Sequence, residues 1–153
     1  MFLLASVKAL LFRYTQQDDI TIGSPTAGRE HFELEKQIGF YVNTLALRTQ
    51  FSGDDTFTTL AEKVKSTTLN AYQNQAFPFD KILEEITLER DTSRAPLFDV
   101  AVSLQNTGLN DGTTATLEGL ETKPYLLETG VSKFDLWLNF DEKNGQILFE
   151  IEY

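Results

Sequence analysis

The chain has 153 residues, with 13 Lys and Arg against 23 Asp and Glu, for a net charge of −10; 41% of residues are hydrophobic and 24% charged, a globular composition of about one domain. That acidity argues against duplex nucleic acid or an anionic membrane as the main partner, because both need clustered Lys and Arg. There is no cysteine, which excludes disulfides, thiolate metal sites and a cysteine nucleophile; the lone His31 excludes chemistry that needs two imidazoles from this chain.

Phe2, Leu3, Val7, Leu10, Leu11 and Tyr14 follow 3.6-residue spacing, which predicts an amphipathic helix over Met1 to Tyr14 packed on a core. Lys8 interrupts the apolar run and no small-residue cleavage site follows, so the segment reads as a core helix and not as a targeting signal. No stretch approaches the roughly 18 apolar residues of a membrane span. Ile20 to Ile22 alternates like a short strand ahead of the breakers Gly23, Ser24 and Pro25, and Phe40 to Leu47 is rich in strand-forming residues. Ser52 to Asp55 reads as a turn supplying a helix cap. Phe57, Leu60, Ala61, Val64, Leu69 and Tyr72 then mark a long amphipathic helix, broken at Phe77-Pro78-Phe79. A second, shorter helix follows, with Phe79, Ile82, Leu83 and Ile86 on one face.

The back half reads as β-structure. Phe98, Val100, Val102 and Leu104 alternate with Asp99, Ala101 and Ser103, a half-buried strand, and Asn106 to Thr114 has the composition of a flexible loop. Phe134, Leu136, Leu138 and Phe140 alternate on one side of Asn144-Gly145, and Ile147, Phe149, Ile151 and Tyr153 on the other. A two-residue Asn-Gly turn sets Phe140 opposite Phe149, Leu138 opposite Ile151 and Leu136 opposite Tyr153. The element order is that of an α+β fold with a mixed β-sheet flanked by helices.

Few residues invite a chemical role on their own. His31 lies between Glu30 and Glu33 without partner spacing for a metal or a triad, so it reads as a surface histidine. Glu84, Glu85, Glu89 and Asp91 read as a solvated helix face. Gly23, Gly28 and Gly39 fit no phosphate-binding loop, and no serine sits in a G-x-S-x-G elbow.

Three stretches stand apart. Ile38 to Arg48 (IGFYVNTLALR) is a strand carrying Asn43 and Thr44 in its middle, Asn74 to Asp80 (NQAFPFD) joins two helices, and Arg90 to Asp99 (RDTSRAPLFD) runs from helix to strand. In this order they resemble the C-terminal motifs of the condensation domains of nonribosomal peptide synthetases, which read roughly (I/V)-G-x-F-V-N-T-x-x-x-R, (H/N)-Q-D-x-P-F-E and R-D-x-S-R-x-P-L. Arg13 to Ile20, Ala27-Gly28-Arg29 and Lys133 to Leu136 look like lesser landmarks of the same family. The chain departs from the pattern at Gln16, Tyr41 and Ala76, where the family usually has Gly, Phe and Asp. It also lacks the family's H-H-x-x-x-D-G motif, which belongs to the N-terminal half of a domain about three times this length.

The resemblance implies that residues 1–153 are a C-terminal portion of such a domain, truncated at both ends. The implied fold is the C-terminal lobe of a chloramphenicol-acetyltransferase-like architecture, with the active site in a tunnel between two lobes. It implies an amide-forming enzyme of the cytoplasm. The partners implied are the N-terminal half of the same domain and donor and acceptor carrier proteins, whose phosphopantetheine arms carry the substrates; no cofactor binds directly. Without the histidine motif this portion alone is expected to be inactive and to hold no catalytic residue or metal ligand. The resemblance places Asn43 and Thr44 near the tunnel. Two roles stand open for Asn43: donating to a substrate carbonyl, or holding neighbouring backbone groups. Arg48 is expected to anchor a strand end. Gly39, Gln75, Pro78, Phe79, Pro96 and Leu97 are expected to shape turns and packing, and Arg90, Asp91 and Arg94 to pair among themselves or with backbone. A lobe without its companion should expose an apolar face suited to self-association. The competing expectation is a non-catalytic interaction module that docks a carrier protein or a neighbouring synthetase domain, with Lys63, Lys65, Lys81 and Arg94 as the candidate basic patch for a carrier.

Overall fold

The computed structural model describes residues 1–86, 94–105, 119–120, 130–143 and 145–153. The elements in chain order are α1 (Phe2–Thr15), β1 (Asp19–Thr26), a 3₁₀ turn (Phe32–Leu34), β2 (Asn43–Gln50), α2 (Phe57–Gln73), α3 (Phe79–Glu85), β3 (Val100–Gln105), β4 (Leu136–Lys143) and β5 (Gln146–Glu152). The strands form a mixed sheet in the order β2-β1-β3-β4-β5. β1 with β2 and β4 with β5 are antiparallel, whereas β3 is parallel to both of its neighbours.

Alternation along the strands sorts the sheet into two faces. Ile20, Ile22, Leu45, Leu47, Val102, Leu138 and Phe140 share a core with Leu4, Ala5 and Val7 of α1 and Leu60 and Val64 of α2. On the other face Gly23 has no side chain because the Phe98 ring fills its place: a Cβ there would lie 2.1 Å from Phe98 Cε2. Phe79 of α3, Phe98, Phe134 and Trp137 form a row of rings with centroids 5.7, 5.6 and 5.7 Å apart. Such contacts add about 0.5–1.5 kcal/mol each beyond area burial.

Several sequence expectations need correction. The buried face of α1 is Leu4, Ala5, Val7 and Lys8, whereas Phe2, Leu10 and Tyr14 are exposed. Lys8 belongs to the core because its ammonium has partners there: Nζ donates to Ile20 O and Leu47 O, each at 2.7 Å. On α2 the buried stripe is Leu60, Val64 and Thr68, and Leu69 and Tyr72 face outward. Gly23, Ser24 and Pro25 do not end β1; they pair with Ala46, Leu45 and Thr44 of β2. β2 begins at Asn43, not at Phe40, and runs to Gln50. β3 is buried on both faces at Ala101, Val102 and Ser103, as a strand with parallel neighbours on each side requires. The α2 cap is Thr56, whose Oγ1 accepts the Thr59 N–H, one residue beyond the expected turn.

The C-terminal hairpin has the expected register, with Phe140 opposite Phe149, Leu138 opposite Ile151 and Lys143 opposite Gln146. Its ladder ends at Trp137 opposite Glu152, one pair short of Leu136 and Tyr153. Asn144 and the loop expected over Asn106 to Thr114 lie outside the described residues. β5 is an edge strand, and its apolar residues are exposed, Phe149 by 66%.

Candidate functional site

Asn43 opens β2 and pairs across the ladder with Thr26, the last residue of β1. Both side chains reach the connection between α2 and α3. Asn43 Nδ2 donates to Gln75 O at 2.8 Å and to Phe77 O at 2.7 Å, while its Oδ1 accepts the Phe79 N–H at 3.1 Å. Thr26 Oγ1 donates to Gln75 Oε1 at 2.5 Å. The third of these Asn43 bonds has a local reason. Pro78 is the N-cap of α3 and its side chain caps nothing, so the Phe79 N–H at the first turn of α3 needs an acceptor from elsewhere in the fold.

The segment leading into β2 is held by a second side chain. Arg29 donates through Nη1 to Leu34 O and to Gln37 O (2.8 Å), and through Nη2 to Gly39 O (3.4 Å). Its guanidinium lies 4.5 Å from the centroid of the Tyr41 ring, a stacking contact worth about 0.5–1 kcal/mol where exposed. Gly28 is required here. Its φ is +62°, and a Cβ would fall 1.9 Å from Tyr41 O. Tyr41, at a position where Phe is usual, adds a hydroxyl bond to Gln37 Oε1 at 2.9 Å. Between these two fixed segments lies a cleft of about 320 Å³, bordered by Tyr41 to Asn43 on one side and Gln75, Ala76 and Pro78 on the other.

The remaining sequence candidates lie elsewhere. Thr44 pairs with Pro25 in the ladder. At the other end of β2, Arg48 forms a two-pronged bond to Asp19, Nε to Oδ1 at 2.8 Å and Nη2 to Oδ2 at 2.5 Å. Gln50 Nε2 adds a third bond at 2.8 Å. These donors pull the Asp19 carboxyl down to about 2. Pro96-Leu97 makes the turn into β3, with Leu97 at φ +73°, and Phe79 packs on Phe98. Arg94 reaches Asp99 at 3.4 Å; Arg90 and Asp91 lie outside the described residues. His31 is exposed at the start of the 3₁₀ turn. Among the described residues no three His, Asp or Glu side chains converge as a metal site would require. Three of the four cations considered for carrier docking are each paired: Lys63 with Asp55, Lys81 with Glu84 and Arg94 with Asp99.

Sequence reading did not foresee Lys8, Thr26 or the reach of Arg29. The Ala27-Gly28-Arg29 landmark carried a signal for the last of these. Nothing local marks a lysine in an apolar helix as buried.

This arrangement can bind and orient a ligand, and Glu30 is the carboxylate among the residues that line the cleft. The comparisons agree with the motifs. Residues 1–153 match the Condensation domain family. Over the whole chain, 46% of residues are identical to bacitracin synthase 3 of Bacillus licheniformis and 42% to gramicidin S synthase 2 of Brevibacillus brevis, of which the chain spans 2% and 3%. The X-domain from teicoplanin biosynthesis superposes with a TM-score of 0.79 and 29% identity, over 93% of this chain and 31% of that one. A four-domain nonribosomal peptide synthetase bound to AMP and glycine gives a TM-score of 0.87 at 21% identity, over 99% of this chain and 12% of its own. By the match along its whole length, this chain belongs to the condensation domain family.

Proposed function

We propose that residues 1–153 form the C-terminal portion of a condensation domain in a nonribosomal peptide synthetase, and that the whole domain joins two carrier-bound thioesters by an amide bond. One observation carries this reading. Two motif stretches more than thirty residues apart, around Asn43 and around Gln75 to Phe79, are locked together by one side chain and border one cleft.

In the proposed reaction the amine of the acceptor aminoacyl thioester attacks the donor thioester carbonyl. The C–N bond forms, the C–S bond breaks, and the donor phosphopantetheine leaves as its thiol. The amine proton passes to a base. We assign that role to the histidine of the H-H-x-x-x-D-G motif in the N-terminal half, as the family resemblance implies. The chain's contribution is geometric: it supplies one rigid wall against which the two thioesters are brought together. Well-oriented reactants gain about 7–11 kcal/mol of barrier reduction from such confinement.

The partners in this reading are the N-terminal half of the same domain and the donor and acceptor carrier proteins, with phosphopantetheine arriving on the carriers. No described helix is long and apolar enough to cross a membrane, and we place the enzyme in the cytoplasm. The test uses the synthetase that carries this chain, its carriers loaded by its own adenylation domains from ATP and amino acids, and mass detection of the acceptor carrier. A dipeptidyl thioester on that carrier supports the reading. Carriers that each keep a single aminoacyl group would refute it.

A further inference from the structure

The Asn43 carboxamide has two N–H donors and one carbonyl oxygen. Both donors are taken, by Gln75 O and Phe77 O, and the oxygen is taken by the Phe79 N–H. No N–H remains to reach a substrate carbonyl. What the amide does hold is a connection that is weak by itself. α3 has seven residues, too few to be stable as an isolated helix, and no side chain of its own caps it. The segment from Asn74 to Phe79 is tied to β-structure at two adjacent positions, Asn43 through three backbone groups and Thr26 through the Gln75 side chain. Those two residues face each other across the β1–β2 ladder, so the sheet itself sets where the connection lies.

We infer that Asn43 is a positioning residue: it fixes the backbone of Gln75 to Phe79 as one wall of the cleft and acts on amide formation through that wall, not by contact with substrate. The inference rests on the condensation reading for the reaction concerned, while the contact it invokes is independent of that reading. A wall displaced by about 1 Å is enough to cost about a hundredfold in rate.

The experiment compares the intact synthetase with its Asn43→Ala, Thr26→Val and doubly substituted forms. Steady-state dipeptidyl transfer at varied acceptor-carrier concentration is followed by mass detection, and amide hydrogen exchange is followed over residues 75–79. Thr26→Val removes a tether from the Gln75 side chain and so touches the reaction only through the connection. If Asn43 positions, Asn43→Ala lowers kcat about ten- to a hundredfold, with the KM for the acceptor carrier held within about twofold, and speeds exchange at Phe79. Thr26→Val lowers kcat in the same direction by a smaller factor, and the double substitution falls short of the product of the two.

Two results would overturn the inference. A kcat loss in Asn43→Ala with unchanged exchange over 75–79, and wild-type rates in Thr26→Val, would make Asn43 a substrate donor. Faster exchange with unchanged turnover would make it a purely structural tie. If Asn43→Ala fails to fold, Thr26→Val decides by the same pair of readouts: faster exchange with slower transfer supports positioning, and either change alone contradicts it. A wild-type synthetase that forms no dipeptide refutes the condensation reading and the catalytic part of this inference with it, and the exchange data still decide whether Asn43 holds the connection.

Discussion

Lys8 Nζ lies 2.7 Å from the carbonyl oxygen of Leu47, binding the middle of α1 to a strand thirty-nine residues further along the chain. Its second acceptor, Ile20 O, belongs to the adjacent strand, so one ammonium sits astride the β1–β2 seam. The side chain is fully buried, and this burial pushes its pKa down to about 8, against the opposing pull of Asp19. Between about pH 8 and the ordinary value of 10.5 the unfolded chain therefore binds a proton that the folded chain does not. Stability contributed by this residue rises with pH across that window and is constant below it. A shift of this size corresponds to about 3 kcal/mol. Urea denaturation of wild type and Lys8→Met between about pH 7 and pH 10.5 should show the wild type gaining on the variant by an amount of that order. A difference that stays flat would contradict a buried ammonium.

Asp19 supplies the opposite sign. Arg48 and Gln50 stabilise its charged form, so its folded pKa lies near 2, below the ordinary 3.8. Its contribution is complete above about pH 4 and is lost as pH falls toward about 2. Asp19→Asn should flatten the acid side of the stability curve relative to wild type. Equal slopes between about pH 5 and pH 2 would show that the Arg48 bond does not hold in solution.

Two left-handed residues make a backbone prediction. Gln16 closes α1 at φ 60°, its N–H bonded to Phe12 O, at the position where the family usually has Gly. Because the left-handed region costs a non-glycine residue roughly 1–2 kcal/mol, Gln16→Gly should stabilise the chain by up to about 1 kcal/mol in thermal or urea denaturation. Leu97 is also half-buried, so truncation there loses packing as well. Leu97→Gly should be more stable than Leu97→Ala by about 1 kcal/mol, since only glycine relieves the φ of 73°. Alanine as the more stable replacement would mean that the turn is not left-handed.

Hairpin register was legible in the sequence because two independent signals agreed, strict alternation and a two-residue turn, and either alone fixes which face each side chain takes. Legibility failed where a residue's environment is made by distant parts of the chain. Lys8 reads as a polar break in an apolar helix until the Ile20 and Leu47 carbonyls are placed beside it. Gly23 and Pro25 read as breakers, yet the first makes room for the Phe98 ring and the second pairs with Thr44. At the cleft, the motif resemblance pointed to Asn43, but spacing alone could not say that its amide meets Gln75, Phe77 and Phe79, since that depends on how α2 and α3 return to the sheet.

Gly23 carries a packing prediction of its own. The Phe98 ring that fills its place is buried and lies between Phe79 and Phe134, so it cannot move aside. Gly23→Ala should destabilise by about 1–3 kcal/mol, the usual cost of overpacking. Adding Phe98→Leu should recover part of that loss, a coupling that a double-mutant cycle in urea would register. Strict additivity would place the ring elsewhere.

The central claim is that this chain shapes a condensation site whose proton-transfer group lies outside it. The most direct measurement sets residues 1–153, as the only condensation component, beside the intact synthetase, each with loaded donor and acceptor carriers, and detects dipeptidyl product by mass. The expected result is product from the synthetase and none above background from residues 1–153. Robust product from residues 1–153 alone would locate the chemistry in side chains assigned here to binding and support, and would contradict the account.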